Sequence, residues 1–412
     1  MQFSRIQRLH IKHFRSIAEQ SIELGDLTIL VGQNAAGKSN VVDAIRFMRD
    51  AMAEGLDQAV SVRNGVRVVR QASHSKKPFN VELRLYFQIE DSTPNTALSQ
   101  GVRSMSASYG FKFGSNNDEL KVLEESGDLI HHEMYFDRDD DPIFYPVSTT
   151  WMERNKEGAI FLDGASSKRF VPVDELAMSR SYRFPMPVGN MLDTQTVFDL
   201  ILADSRFAAI YPNVMRSPAP SQAAATLAED CRNWASVIRG MQKTEEGQEG
   251  LTKVINLIRY VLPQLEDVAI KSVGGFLVPH FRFARGNGKR DMDLVPYQLS
   301  DGTLRLFGLL LALYQSPPAS FLAIEEPEQM VHPGALRVLA DAFKEAKERT
   351  QLLITTHSPY LLELFDLDSI RVVSQGENGT EVGPVSSKQL DIVRERLMTL
   401  PEIMVLDGLQ PE

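Results

Sequence analysis

The stretch LTILVGQNAAGKSNVVDAI, residues 27–45, decides how the chain is read. Its first five residues form an apolar strand, and Val41, Val42 and Ile45 fall on one face of a following helix. Between them Gly32, Gln33, Asn34, Ala35, Ala36, Gly37, Lys38 and Ser39 match the full G-x-x-x-x-G-K-[ST] spacing. A glycine-rich turn that runs straight into a helix leaves backbone N–H groups without intrahelical partners, and such donors suit phosphate oxygens. Lys38 then reaches the β- and γ-phosphates, the Ser39 hydroxyl binds Mg²⁺, and Asn40 completes the cradle.

Three further motifs lie far down the chain. FLAIEE, residues 321–326, is a buried strand with two carboxylates at its C-terminal end, where ligands sit in parallel sheets. Glu325 suits the magnesium shell through water, and Glu326 suits orientation of an attacking water, since such catalysis is positioning plus electrostatics. LSDGT, residues 299–303, opens an apolar helix 25 residues before Glu325. Ser300 and Gly302 there serve either as a plain N-cap or as a second anion site. TTHSP, residues 355–359, places His357 at the end of the next strand, where it can sense a γ-phosphate.

Around these motifs the pattern predicts an α/β fold split by a long insertion. Residues 1–75 read as the first half of a parallel-sheet head. From 76 to 185 the period is two, as in Val81, Leu83, Leu85 and Phe87, which predicts antiparallel strands. Residues 186–290 read as mainly helical, with Leu251, Val254, Ile255, Ile258, Val261, Leu262 and Leu265 as one stripe kinked near Pro263. Residues 291–412 return to strand–helix alternation and supply the second half of the head.

Composition narrows the class. The 412 residues suggest two or three domains, and 43% hydrophobic with 24% charged is ordinary for a globular protein. The longest apolar run, Leu306–Tyr314, is well short of the roughly 20 residues that span a membrane. The N-terminus lacks a signal peptide's continuous apolar core, so a cytoplasmic protein is expected. A single cysteine, Cys231, excludes an intrachain disulfide. Net charge is −10, opposite in sign to a bulk grip on nucleic acid.

The four motifs in this order resemble the ABC-type ATPases: Walker A, signature, Walker B with its catalytic glutamate, and switch histidine. IKHFRSI near the N-terminus, LSDGT, EEPEQMVHP and TTHSPYLL resemble the RecF, SMC and OLD group in particular. That resemblance implies ATP and Mg²⁺ as cofactors and a homodimer or higher oligomer that closes head to head. Ser300 and Gly302 then act across the interface on the partner's nucleotide. Arg15 matches a basic residue that helps shape the nucleotide pocket, and either Gln71 or Gln195 couples Mg²⁺ to the middle of the chain. Glu325 departs from the usual Walker B aspartate.

Long heptad runs and paired cysteines, expected of SMC and zinc-hook relatives, are absent. The 55 residues after His357 lack a recognisable acidic metal cluster, so the chain looks like an OLD ATPase half without its nuclease. Two functions follow as expectations. One is an ATP-driven switch for a separate effector protein, a nuclease or toxin, in bacterial anti-phage defence. The other is a RecF-like repair clamp that binds DNA across the closed dimer. For the clamp there are three basic clusters, each more readily read as solvated charge: Arg5, Arg8, Lys12 and Arg15; Arg63, Arg67, Arg70, Lys76 and Lys77; Arg282, Arg285, Lys289 and Arg290. A transporter subunit and a small-molecule kinase fit poorly, the first for the length between Walker A and signature, the second for the LSDGT motif.

Overall fold

The structure is a computed structural model; it describes residues 3–72, 78–91, 103–116, 119–136, 142–154, 156, 159–162, 165–170, 172–176, 202, 204–221, 226–284, 291–406 and 408–412. Its centre is a six-stranded sheet built from both ends of the chain. Strands β3 (Leu27–Val31), β10 (Ser205–Ala208), β15 (Phe321–Glu325), β16 (Gln351–Thr356), β17 (Ile370–Gly376) and β18 (Gly379–Gly383) lie in the order β10-β15-β16-β3-β17-β18. All neighbours are parallel except the β17–β18 hairpin.

Parallel strands covered on both faces read as continuous apolar runs rather than alternating ones. Every residue of β3 and β16 is buried. On one face Ile29, Val31, Leu322, Ile324, Leu352 and Ile354 join a core closed by helices Asp301–Tyr314 and Pro333–Ala346. On the other, Leu30, Ala323 and Leu353 meet helix Lys38–Glu54, which follows the glycine loop.

The second sheet is antiparallel. Strands β1 (Phe3–Phe14), β2 (Ile17–Glu23), β4 (Val81–Asp91), β5 (Arg103–Asn116), β6 (Glu119–Phe136), β7 (Pro142–Arg154), β8 (Ala159–Leu162) and β9 (Ala165–Phe170) run in the order β2-β1-β4-β5-β6-β7-β8-β9. The first hairpin, grouped by sequence with the parallel half, thus joins this sheet through nine or so residue pairs from Phe3↔Glu90 to Lys12↔Glu82. Phe47 of helix Lys38–Glu54 welds the two sheets together, 5.5 Å from the ring of Phe14 and 5.6 Å from Phe113. Burying a phenylalanine of this kind is worth about 1.5–3 kcal/mol.

The segment expected to be mainly helical is mixed. Its described part holds helices Trp234–Met241 and Glu245–Arg259, but also β10 of the central sheet. Strands β11 (Ala219–Pro220), β12 (Leu265–Val273) and β13 (Phe276–Phe283) form a small antiparallel sheet in the order β11-β13-β12, with β14 (Met292–Leu294) on β13. The apolar stripe therefore divides. Leu251, Val254, Ile255 and Ile258 are buried on the helix, the chain turns at 260–262 ahead of Pro263, and Leu265 opens β12. Pro263 has no amide to continue the helix, so a pattern that persisted across it misled. Trp234 docks this unit on the head, 5.7 Å from Phe307 of helix Asp301–Tyr314.

Gln351 fastens the two sheets where β1 slips register between Ile6 and Arg8. Its buried amide accepts from Ile6 N at 2.8 Å and donates to Ile6 O at 2.8 Å and Gly25 O at 2.9 Å. Unpaired buried backbone groups cost about 1–3 kcal/mol each. Gln351→Ala is therefore expected to lower the unfolding free energy by about 2–4 kcal/mol. Urea titration checks this, and a loss near zero contradicts the assignment.

Candidate functional site

Register puts three chemical groups at one edge. Strands β15, β16 and β3 are adjacent and parallel, with Glu325 beside Thr355 and Thr356 beside Val31. Glu325 and Glu326, His357 and the loop from Gly32 therefore leave the sheet side by side, at the C-terminal edge where ligands bind.

The loop itself is shaped for an anion. Helix Lys38–Glu54 begins on Gly37, at φ 111°, with no side-chain cap on its first N–H groups. Gln33, Asn34, Ala35 and Ser39 are exposed, whereas Ala36, Gly37 and Lys38 are buried. The Lys38 ammonium bridges the loop, donating to Gly32 O at 2.8 Å and Gln33 O at 2.9 Å. Burial pulls this ammonium below its ordinary value, and the carboxylates of Glu326, Glu328 and Glu325 partly restore it. A buried cation facing three carboxylates is a setting that a polyphosphate with its metal balances.

Glu326 is held in a strained turn at φ 45°, a left-handed conformation that costs a non-glycine residue about 1–2 kcal/mol. Three bonds hold it there. Its N–H donates to Thr355 O at 2.9 Å and to Thr355 Oγ1 at 3.2 Å, and its carbonyl accepts from Arg305 Nη2 at 2.9 Å. The carboxylate is one-quarter exposed and faces His357, Nδ1 to Oε1 3.4 Å, while Gln329 donates to the other oxygen. Glu325 Oε1 lies 3.9 Å from Arg46 Nη2.

Glu328, overlooked in the sequence, positions the histidine. Its Oε1 accepts from Thr356 Oγ1 at 2.7 Å and His357 N at 3.1 Å, and lies 3.6 Å from His357 Nδ1. Its Oε2 is buried without a partner. The EEPE string contained this residue, but spacing alone did not separate it from a solvated acid.

LSDGT opens helix Asp301–Tyr314 with Ser300 as its N-cap, the hydroxyl accepting from Thr303 N at 3.2 Å. The N-cap reading of this serine is thus present in the structure, and the hydroxyl also bonds Thr303 Oγ1 at 2.9 Å. A β-carbon on Gly302 would collide with Met330 O, so the LSDGT turn rests directly on the loop after Glu326. Asp301 pairs with Arg216 Nη2 at 2.6 Å. Among the described residues no hydrogen bond joins Ser300 or Gly302 to residues 32–39 of the same chain.

Arg305, also overlooked, connects that helix to the carboxylate strand. Its buried guanidinium donates to Ile210 O at 2.6 Å and to Glu326 O, and reaches Glu325 O at 3.4 Å. Burial lowers its pKa from the usual guanidinium value.

Arg15 sits in the β1–β2 turn at φ 49° and pairs with Asp43 Oδ2 at 2.8 Å, on the helix that follows the glycine loop. Gln71 bonds His13 Nδ1 at 3.1 Å and donates to Asn378 O at 3.0 Å, which places it at the tip of the β17–β18 hairpin. Gln195 lies outside the described residues, as do Lys76, Lys77, Arg285, Lys289 and Arg290. Arg5, Arg8 and Lys12 each face an acid: Asp26, Glu23 at 3.9 Å and Glu19 at 2.6 Å. Arg63 is buried between Asp43 and Asp50, 2.9 Å from each.

The donor set fits Mg²⁺ bound with a nucleotide. Among the described residues no group of three or more histidines, cysteines or acids forms a cage for a metal on its own. One hydroxyl, Ser39, and one carboxylate, Glu325, suit a cation that keeps its waters and takes phosphate oxygens.

A glycine loop, a carboxylate pair and a histidine on three adjacent parallel strands, with an LSDGT helix tied behind them, define an ABC-type ATPase. Within that class the chain is an ATPase of the RecF, SMC and OLD-like group. Residues 246–363 match the family described as "AAA domain, putative AbiEii toxin, Type IV TA system", and residues 5–134 match "AAA ATPase domain". An OLD nuclease of Thermus scotoductus is 22% identical over 399 residues, covering 95% of this chain and 67% of that protein. A DNA replication and repair protein RecF of Shewanella loihica is 46% identical over 121 residues, 29% of this chain and 27% of that protein. An Smc head domain derived from Pyrococcus furiosus, solved bound to the C-terminal domain of ScpA, shares the fold. Its TM-score is 0.51 at 13% identity, covering 96% of this chain and 99% of that one. No helix among the described residues is long and apolar enough to cross a membrane.

Arg305→Met leaves the carbonyls of Ile210 and Glu326 without their donor and is expected to destabilise by about 2–4 kcal/mol. Lys271→Met, at a pair with Asp293 in which both side chains are well exposed, is expected to change stability little. Equal losses in thermal melts of the two variants would contradict the role assigned to Arg305.

Proposed function

We propose that the chain binds Mg²⁺–ATP in the Gly32–Ser39 loop and hydrolyses it, and that two copies close on the nucleotide to switch a separate effector protein. The observation that carries this reading is the convergence of Lys38, Glu325, Glu326 and His357 at one sheet edge. The LSDGT turn, by contrast, makes no bond to its own glycine loop among the described residues. In this reading Lys38 and the loop N–H groups hold the β- and γ-phosphates, and Ser39 and Glu325 hold Mg²⁺. Glu326 orients the attacking water, and His357, steadied by Glu328, senses the γ-phosphate. Ser300 and Gly302 complete the partner's site, because a helix N-terminus favours an anion. The match to a toxin-linked AAA family and the likeness to an OLD nuclease over 95% of this chain support an effector switch in anti-phage defence.

A RecF-like clamp is the second reading, favoured by 46% identity to a RecF over 121 residues. The acid partners of Arg5, Arg8 and Lys12 weigh against that cluster as a phosphate grip.

Glu326→Gln keeps shape and hydrogen bonding while weakening water activation, so it is expected to trap an ATP-bound dimer in light-scattering measurements. Ser300→Arg in that background is expected to abolish the dimer, and Lys38→Ala to abolish ATP binding. A Glu326→Gln protein that binds ATP as an unchanged monomer would refute the closure across two copies. Protein or DNA that co-purifies with the trapped state decides between effector switch and clamp.

A further inference from the structure

The geometry points to Thr380 as a positioning residue for the nucleotide: its hydroxyl aims the Gly37 N–H at the phosphates. This rests on reading Gly32–Ser39 as a nucleotide loop, and concerns a residue that no motif contains.

The β17–β18 hairpin lies directly against that loop. A β-carbon on Gly32 would collide with Val373 O in β17, and one on Gly37 would collide with the Thr380 side chain in β18. Both glycines of the motif are thus set by the same hairpin. Thr380 itself is 2% exposed, so its hydroxyl needs partners within the protein.

Those partners form a chain with a defined direction. Thr380 Oγ1 donates to Ala36 O at 3.0 Å, a contact that spans 344 positions of sequence. With its one proton spent, Thr380 Oγ1 accepts from Ser16 Oγ at 2.6 Å, and Ser16 Oγ accepts from Asn40 Nδ2 at 2.6 Å. The backbone adds a fourth link, Thr380 N to Ser16 O at 2.9 Å. The relay begins and ends in the glycine loop and its helix, and passes through the hairpin on the way.

Its effect follows from peptide planarity. In a trans peptide the C=O and N–H point in opposite directions. Fixing Ala36 O toward the hairpin therefore turns the Gly37 N–H away from it, into the concave side of the loop. Among the described residues that N–H has no acceptor. Free rotation of this peptide would present a carbonyl oxygen to the phosphates instead, with repulsion in place of a hydrogen bond. Thr380 acts through Gly37 and touches no reacting atom. Because the N–H holds phosphate equally before and during reaction, its loss belongs in KM rather than in kcat.

The test is Mg²⁺–ATP affinity, by titration with a ribose-labelled fluorescent ATP, alongside ATP KM, kcat and melting temperature. Thr380→Val keeps shape without the donor and is expected to weaken affinity and raise KM about tenfold, the equivalent of one hydrogen bond, with kcat changed far less. Thr380→Ser restores the hydroxyl and is expected to bind within about twofold of wild type. Ser16→Ala leaves the bond to Ala36 O in place and should bind much like Thr380→Ser. Thr380→Cys, a weaker donor of similar size, should fall between and serves if the valine variant does not fold. Valine or cysteine variants that fold and bind ATP as wild type does would overturn the proposal. So would a serine variant as weak as the valine one. Wild-type protein that binds no nucleotide would overturn the loop reading itself, and this inference with it.

Discussion

Everything in the site depends on the pairing of β15, β16 and β3. Their register is fixed because strands buried on both faces have no solvent side to slip towards, and a shift of one residue would exchange the contents of two different cores. Phe321 and Ala323 face one core while Leu322 and Ile324 face the other. That packing, rather than any contact among the polar groups, brings Glu325, His357 and the glycine loop to a common edge. The polar contacts then refine what packing has placed.

The refinement uses polar groups that answer mostly to backbone. Arg305 binds three carbonyls and Glu328 binds a hydroxyl and an amide. Each would cost more unpaired than it contributes paired, so these contacts specify one geometry more than they add stability. The strained Glu326 backbone persists because the surrounding bonds over-determine it. Arg305 also gives the arrangement a direction. It starts on the LSDGT helix and ends on the Glu326 carbonyl, so the ligand proposed for Ser300 would act on the helix that steadies the chain's own carboxylates.

Much of this was legible in the sequence. G-x-x-x-x-G-K-S, the apolar strands FLAI and QLLITT and the histidine at the strand end carry their meaning locally, and the structure lays them side by side. The split parallel sheet followed from strand–helix alternation. What escaped were residues whose role is set by distant partners. Thr380 looks like any strand threonine until Ala36 lies beneath it, and Glu328 like any acid after a proline until Thr356 and His357 arrive. The helical reading of residues 186–290 failed for a related reason. An apolar stripe continued past Pro263, and only the pairing of Leu265 with Phe283 marks it as a strand. Likewise nothing local in residues 3–14 says which sheet claims β1.

In the proposed reading one chain supplies two halves of a nucleotide site, the glycine loop with its carboxylates and the LSDGT turn, and the two halves belong to different nucleotides. The most direct test mixes two variants, Lys38→Ala and Ser300→Arg, each inactive alone, and measures ATP hydrolysis. If the halves meet across two copies, a mixed pair carries one intact site, and the mixture hydrolyses ATP well above the sum of its parts. If hydrolysis in the mixture equals that sum while wild type is active, each chain works by itself and the division of the site between two copies is wrong.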